Sequence, residues 1–335
     1  MAEQNTNQAL SEEERLKQMA AQMRAREYQG LSEEEIQERE RQKEMRRKKN
    51  IAILEDTLAI LEQGGYARDG QDVRLAFSPE QMREIRVFLP EELTSLAAME
   101  QDEVALQSAD CTFGCENEDA LVLAQKQYQR LKSAGDPAPK ILVLNLASAT
   151  RPGGQTRNGA SAQEEDLCRR TSLLLSLESE DAKRYYDYNN ARKTRMGSDG
   201  VMLSPNVEVI KDDASELLDQ PFPISVMSCA APMVRLGLEG MSQQEYEEML
   251  YRRIQGMLLV AASQGYRHLI LGAFGCGVYG NDAALVSDLF ARAIRTFAFA
   301  GMGGGQLFDS IQFAVLCRPG KDYNYREFCR NFSPD

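Results

Sequence analysis

At 335 residues the chain is long enough for one large domain with an appendage, or for two domains. Its 43% hydrophobic content, with 12 Phe and 12 Tyr, suits a packed core and excludes wholesale disorder. A formal net charge of −12 excludes general nucleic-acid affinity through bulk electrostatics, leaving room only for a local positive pocket.

The N-terminal stretch MAEQNTNQALSEEE lacks the apolar core of a signal peptide, and no apolar run approaches the roughly 20 residues of a membrane span. Residues 1–50 hold 11 acidic and 11 basic residues with few large apolar ones. A short pattern occurs twice, as LSEEERLKQ from Leu10 and LSEEEIQER from Leu31, and each copy offers a Ser-x-x-Glu helix start. One or two exposed, charged helices are expected, with the RRKK run at 46–49 as a solvated helix end.

From about Asn50 the pattern becomes globular. NIAILEDTLAILEQGGY reads as a helix stopped by Gly-Gly. VRLAF, REIRVFL and EVALQSADCTF are strand candidates, and a helix is expected from near Asn117 through LVLAQKQYQRLKSAG. KILVLNLA (140–147) is a continuous apolar run of the kind buried on both faces of a sheet. KRYYDYNNARKTRMGSDG is polar and reads as a long loop, VMLSPNVEVIK and PISVMSCAAP as strands, and SQQEYEEMLYRRIQGMLLVAASQGY as an amphipathic helix. HLILGAF is a strand, NDAALVSDLFARAIRTFAF a helix capped by Asn281 or Asp282, GMGGG (301–305) a flexible connection, and IQFAVLC (311–317) the last strand. Strands alternating with helices predict an α/β protein with a largely buried central sheet and helices on both sides.

The seven cysteines (Cys111, Cys115, Cys168, Cys229, Cys276, Cys317, Cys329) are scattered and odd in number, the pattern of reduced, buried thiols in a cytoplasmic protein. With His268 as the only histidine, no His/Cys zinc site is expected, and mechanisms needing several histidines are excluded. His268 opens a strand and reads as a packed or hydrogen-bonded side chain.

Two glycine-bearing loops follow buried strands: SATRPGGQTRNGASAQEE after KILVLNLA, and GAFGCGVYGND after RHLI. Glycine lets the backbone approach a ligand closely, and each loop leads into a helix N-terminus, which favours anions. Gly275, Gly277 and Gly280 spell GxGxxG. Yet this lies near the chain's end, with no acidic residue closing a strand about 20 residues on, so a Rossmann site is not expected. In the first loop, Ser161-Ala-Gln-Glu164 reads as a capping box, which accounts for Glu164 but not for Glu165. Adjacent helical residues point about 100° apart, so the two carboxylates are suited to different tasks. Glycosidic chemistry has such a pair of tasks: one carboxylate holds the sugar, and the other protonates the leaving oxygen.

NLASATRPGG followed by GASAQEEDLCRRTSLL resembles the signature of bacterial-type poly(ADP-ribose) glycohydrolases, a GGG and a QEE separated by six to eight residues. Gly153-Gly154-Gln155, seven residues, and Gln163-Glu164-Glu165 fit it, with Gln155 where the third glycine is expected. The resemblance continues through MLSPNVEVIKDD, SCAAP, LILGAFGCGVYGND and IQFAVLC, over roughly residues 46–330. It implies a three-layer α/β/α macrodomain-like sandwich with a mixed central sheet over 46–335, after a charged helical extension at 1–45. It also implies Glu165 as the catalytic general acid/base, in a role needing a pKa raised by partial burial. Glu164 would hold hydroxyls of the scissile ribose. Gly153 and Gly154 would approach the diphosphate and distal ribose, and Gly275, Cys276, Gly277, Val278 and Tyr279 would wrap the diphosphate from the other side. Ser148, Gln163 and Asn281 complete the expected substrate-binding set. The implied activity is hydrolysis of poly(ADP-ribose) to ADP-ribose without metal or cofactor. The alternatives are a mono-ADP-ribosyl hydrolase and a non-catalytic ADP-ribose reader; membrane and sequence-specific nucleic-acid partners are not expected.

Overall fold

The computed structural model describes residues 28–98, 111–299, 302–318 and 320–333, together with Ala21 and Ala25. It contains two compact units, Met1–Lys49 and Asn50–Asp335. The first copy of the LSEEE pattern and most of EVALQSADCTF lie outside the described residues. The second copy starts the helix Glu33–Gln63 as its spacing predicts: Ser32 N donates to Glu35 Oε2 at 2.8 Å, and Glu35 N donates back to Ser32 Oγ at 3.3 Å. Among the described residues no helix is long and apolar enough to cross a membrane.

The second unit begins on the same helix, where Asn50, Leu54, Thr57, Ile60 and Leu61 turn inward at helical spacing. A hairpin follows, β1 (Gly65–Arg68) against β2 (Gln71–Arg74), so VRLAF contributes only Val73 and Arg74 to a strand. The remaining strands are β3 (Arg86–Phe88), β4 (Thr112–Glu116), β5 (Ile141–Leu146), β6 (Val201–Lys211), β7 (Leu217–Cys229), β8 (His268–Leu271), the short pair β9 (Ala298–Phe299) and β10 (Met302–Gly303), and β11 (Ser310–Ala314). Seven of them form one sheet in the order β3-β6-β7-β5-β8-β11-β4. The strands β7, β5, β8, β11 and β4 run parallel, while β6 is antiparallel to both its neighbours, so the sheet is mixed.

The continuous apolar run of β5 is buried on both faces, as such runs in parallel sheets are. Leu142 and Leu144 enter one core with the helices Gln243–Ser263, Ala283–Thr296 and Tyr323–Phe332. Ile141 and Val143 enter the other, under the helices Ala120–Ser133, Gln163–Arg170 and Glu180–Arg192. The result is a three-layer sandwich.

Three sequence expectations are corrected. KRYYDYNNAR is not loop but most of the helix Glu180–Arg192, started by Ser179, whose side chain accepts from Ala182 N. Its buried stripe is Ala182, Tyr185, Tyr186 and Asn189, at i, i+3, i+4 and i+7, and tyrosine and asparagine conceal that stripe from a hydropathy reading. Within GMGGG, Met302 and Gly303 pair with Phe299 and Ala298 instead of forming a loose connection, and Gly301 lies outside the described residues. The cysteines are free thiols, but only Cys115, Cys168 and Cys229 are buried. His268 meets its expectation: its Nδ1 lies 2.9 Å from Ser310 Oγ at the start of β8, the strand end away from the second glycine loop.

Candidate active site

Both glycine loops leave the sheet at carboxyl ends of parallel strands, where open α/β sheets bind ligands. After β5 the chain keeps its pairing for one more residue, Ala147 N donating to Cys229 O at 3.1 Å, and then turns at Ser148. Gly153 and Gly154 follow with φ of +61° and +60°, a region costly to L-residues. A Cβ at Gly153 would lie 2.7 Å from Leu174 Cδ1, and one at Gly154 would lie 2.6 Å from Glu165 Oε1 and 2.9 Å from Glu164 Oε2. Both carboxyls therefore flank one bare point of the backbone.

The QEE helix, Gln163–Arg170, is registered by its first residue. Gln163 Nε2 donates to Leu144 O at 2.8 Å, and Leu146 N donates to Gln163 Oε1 at 2.8 Å, so this amide pairs with β5 as a neighbouring strand would. Both ends of the Gln163 amide thereby fix the start of the helix against β5.

Glu164 turns toward the strand end. Its Oε2 accepts from Ser148 N at 2.8 Å and its Oε1 from Asn145 Nδ2 at 3.4 Å. It is 4% exposed, and burial pushes its pKa up to about 8, against the lowering effect of the Ser148 and Asn145 hydrogen bonds. Glu165 turns toward the glycine loop, accepting from Gln155 N at Oε1 and from Ala162 N at Oε2, both at 2.9 Å. The cap register thus differs from Ser161-x-x-Glu164: Ala162 is the N-cap, and Glu165 is the acid that reaches back to it. Each oxygen of Glu165 keeps a second lone pair for a ligand. Asn50 and Thr57 brace this half of the site, donating to Gly159 O at 2.9 Å and Arg169 O at 2.6 Å.

The second loop follows β8. At Gly275, φ +73°, a Cβ would lie 2.3 Å from Asn281 Nδ2, so only glycine fits. Asn281 is 4% exposed. Its Nδ2 donates to Pro232 O and Gly275 O, and its Oδ1 accepts from Tyr246 OH at 2.8 Å. Asn281 thus ties the second loop to the segment after β7 and to the helix Gln243–Ser263. Arg235, which sequence reasoning missed, donates through Nε to Val278 O and through Nη2 to Gly277 O, both at 2.8 Å. In a trans peptide the N–H points opposite its C=O, so the N–H groups of Val278 and Tyr279 face away from Arg235. Aimed N–H groups of this kind suit a diphosphate.

Val278 is 66% exposed at the rim. Cys276 is partly buried, and burial pushes its thiol up to about 12, which leaves it neutral at physiological pH. The Tyr279 hydroxyl lies near the Ser148 side chain of the first loop; its burial and the nearby Glu164 and Glu165 push its pKa up to about 12, against the lowering effect of Ser148. Ser148, Gly153, Gly154, Glu164, Glu165 and Tyr279 are thus brought together. A separate cavity of about 830 Å3, lined in part by Tyr188, Met196, Asp199 and Arg252, includes neither glutamate.

A mixed sheet between two helical layers, with two glycine loops meeting over a pair of buried carboxyls, is a macrodomain-like architecture. Comparison with known proteins agrees. The microbial-type PARG catalytic-domain family matches residues 54–212. The crystal structure of poly(ADP-ribose) glycohydrolase from Thermomonospora curvata is similar over 85% of this chain and 100% of its own, at 32% identity and a TM-score of 0.74. The same enzyme bound to the inhibitor ADP-HPD aligns over the same shares at 31% identity and 0.72. The poly(ADP-ribose) glycohydrolase of Deinococcus radiodurans in complex with ADP-ribose aligns over 77% of this chain and 98% of its own, at 32% identity and 0.65. None of the curated proteins matches. The chain belongs to the microbial-type poly(ADP-ribose) glycohydrolase family.

Proposed function

We propose that the chain hydrolyses the ribose–ribose O-glycosidic bonds of poly(ADP-ribose) and releases ADP-ribose, with residues 46–335 as the catalytic unit and 1–45 as a charged helical extension. The observation that carries this reading is the convergence of Glu164 and Glu165 on the backbone at Gly154, opposite the Gly275–Tyr279 loop. It is supported by the family match and by relatives that hold ADP-HPD and ADP-ribose.

The diphosphate would lie between the glycine loops, against the N–H groups of Val278 and Tyr279, with Gly153 and Gly154 admitting the distal ribose where a side chain would collide. Glu164, braced by Ser148 N–H, would accept hydrogen bonds from ribose hydroxyls. Glu165 would protonate the departing ribose oxygen as the anomeric C–O bond breaks through an oxocarbenium-like state. It would then take a proton from the attacking water, ending in its starting form; the products are ADP-ribose and a polymer shortened by one unit. General acid–base assistance of this kind contributes about 10²–10⁴-fold.

The test is incubation of the purified protein with poly(ADP-ribose), and separately with a mono-ADP-ribosylated protein, followed by chromatography of the products. ADP-ribose released from the polymer supports the reading. Release from the mono-modified protein alone would replace it with a mono-ADP-ribosyl hydrolase, and binding without release would replace it with a reader.

A further inference from the structure

Along β5 the inward positions Ile141 and Val143 fill the apolar layer beneath the QEE helix. The next inward position is Asn145, fully buried. An aliphatic side chain there would continue the layer, whereas a buried amide is costly unless its atoms are paired. The pairing is selective. Nδ2 donates to Ser228 Oγ at 2.9 Å and to Glu164 Oε1 at 3.4 Å, while Oδ1 has no hydrogen-bond partner. Ser228, also fully buried, is the register neighbour of Asn145 on β7. Two polar side chains on adjacent core strands therefore stand behind one oxygen of Glu164, while Ser148 N–H holds the other.

We propose that Asn145, supported by Ser228, is a positioning residue for the hydrolytic reaction, fixing the orientation of the Glu164 carboxyl toward the ribose. The inference rests on the reading of Glu164 as the group that holds ribose hydroxyls. In the arrangement present, Nδ2 serves the ionised carboxylate. A half-turn of the amide exchanges Nδ2 and Oδ1 within the same volume, and Oδ1 then accepts from a protonated Glu164 and from the Ser228 hydroxyl. Asn145 can thus hold the carboxyl in one orientation through both protonation states. Both states matter near neutrality, because burial pushes this carboxyl up to about 8. The titratable groups facing Glu164 are Glu165 and Cys168 on its own helix, Tyr185 and Tyr186 on the helix Glu180–Arg192, and Tyr279 on the second loop.

Asn145→Leu removes both halves of the amide at similar volume, Asn145→Asp keeps the shape but removes the donor, and Ser228→Ala removes only the support. The three variants and the wild-type protein are compared by thermal melting, by kcat and KM on poly(ADP-ribose) from pH 6 to 9, and by a 13C NMR titration of the Glu164 carboxyl. Asn145→Leu should stay folded, lose about tenfold or more in kcat, as displacement of a positioned group does, and titrate Glu164 at higher pH because a donor to the carboxylate is gone. Asn145→Asp should raise that titration further through like-charge repulsion, and Ser228→Ala should move both readouts in the same direction by less. A folded Asn145→Leu protein, or a folded Ser228→Ala protein should the leucine variant fail to fold, with wild-type kcat, KM and Glu164 titration would overturn the proposal. If the wild-type protein neither turns over the polymer nor binds ADP-ribose, the functional reading fails and the positioning role for hydrolysis fails with it. The NMR titration then shows separately whether Asn145 governs Glu164.

Discussion

The backbone N–H of Gln155 donates to Oε1 of Glu165 at 2.9 Å, tying the residue that breaks the triple-glycine pattern to the carboxyl assigned as the acid. Gln155 has φ −112°, a conformation open to any L-residue, and its side chain folds outward to accept from Asn158 Nδ2 at 2.6 Å. The third glycine is dispensable here because only the main chain of that position faces the site. Gln155→Gly should accordingly leave turnover within about twofold and cost only the ~0.5–1 kcal/mol of a freer unfolded chain. Gly154→Ala should lower turnover at least ~10²-fold, since its Cβ would sit 2.6 Å from Glu165 Oε1 and displace both acids. Kinetics and urea melts of the two variants check this contrast.

Glu164 links function to a stability cost. Its pKa is about 8 in the fold against an ordinary 4.5, so the folded state holds a proton that the unfolded state has already lost. Stability from this group is fully present below about pH 4.5 and is lost as pH rises through about 8, at roughly 1.4 kcal/mol per unit in between. Glu164→Gln cannot ionise. It should melt near the wild-type temperature at pH 5 and several degrees above it at pH 8.5, while binding ADP-ribose more weakly and turning over more slowly. Melting curves at the two pH values, with calorimetry, provide the check; an unchanged gap between pH 5 and 8.5 would count against the shift.

Asn281 is expected to act through the fold. Asn281→Ala strands the Tyr246 hydroxyl and the Pro232 carbonyl and removes one of the two donors to Gly275 O, so it should cost ~1–3 kcal/mol of stability and loosen the second loop. Chemical denaturation and an ADP-ribose titration should show both losses together.

Deleting residues 1–45 should leave a folded, active protein. The unit Asn50–Asp335 carries its own cores on both faces of the sheet, and residues 1–50 balance 11 acids against 11 bases. A truncated protein that is soluble yet inactive would place the extension in the site.

Much of this site was legible in the sequence because its signals are local. A continuous apolar run marks β5, glycines after buried strands mark the two loops, and QEE marks the acids. What escaped notice depends on long-range contacts. Asn145 is one polar residue inside an apolar strand, and its meaning appears only once Ser228 and Glu164 are beside it. Arg235 follows β7 outside any local motif, and its partners lie more than 40 residues on. The Gln163 amide bonds the β5 backbone and the Asn281 amide bonds two carbonyls and the Tyr246 hydroxyl, partners that lie up to 49 residues away and that no local motif announces. The helix Glu180–Arg192 hid because its inward face is tyrosine and asparagine.

The most direct test of the central claim is steady-state turnover of poly(ADP-ribose) by Glu165→Gln, measured beside its ADP-ribose affinity and its melting temperature. Gln at this position can still accept from Gln155 N or Ala162 N, so the cap and the fold should persist. It cannot carry a transferable proton. The account predicts a loss in turnover of about 10²-fold or more, with ADP-ribose affinity nearly unchanged because the diphosphate contacts come from the backbone loops. A Glu165→Gln protein that keeps near-normal turnover would contradict it, leaving Glu165 as a helix cap and no more.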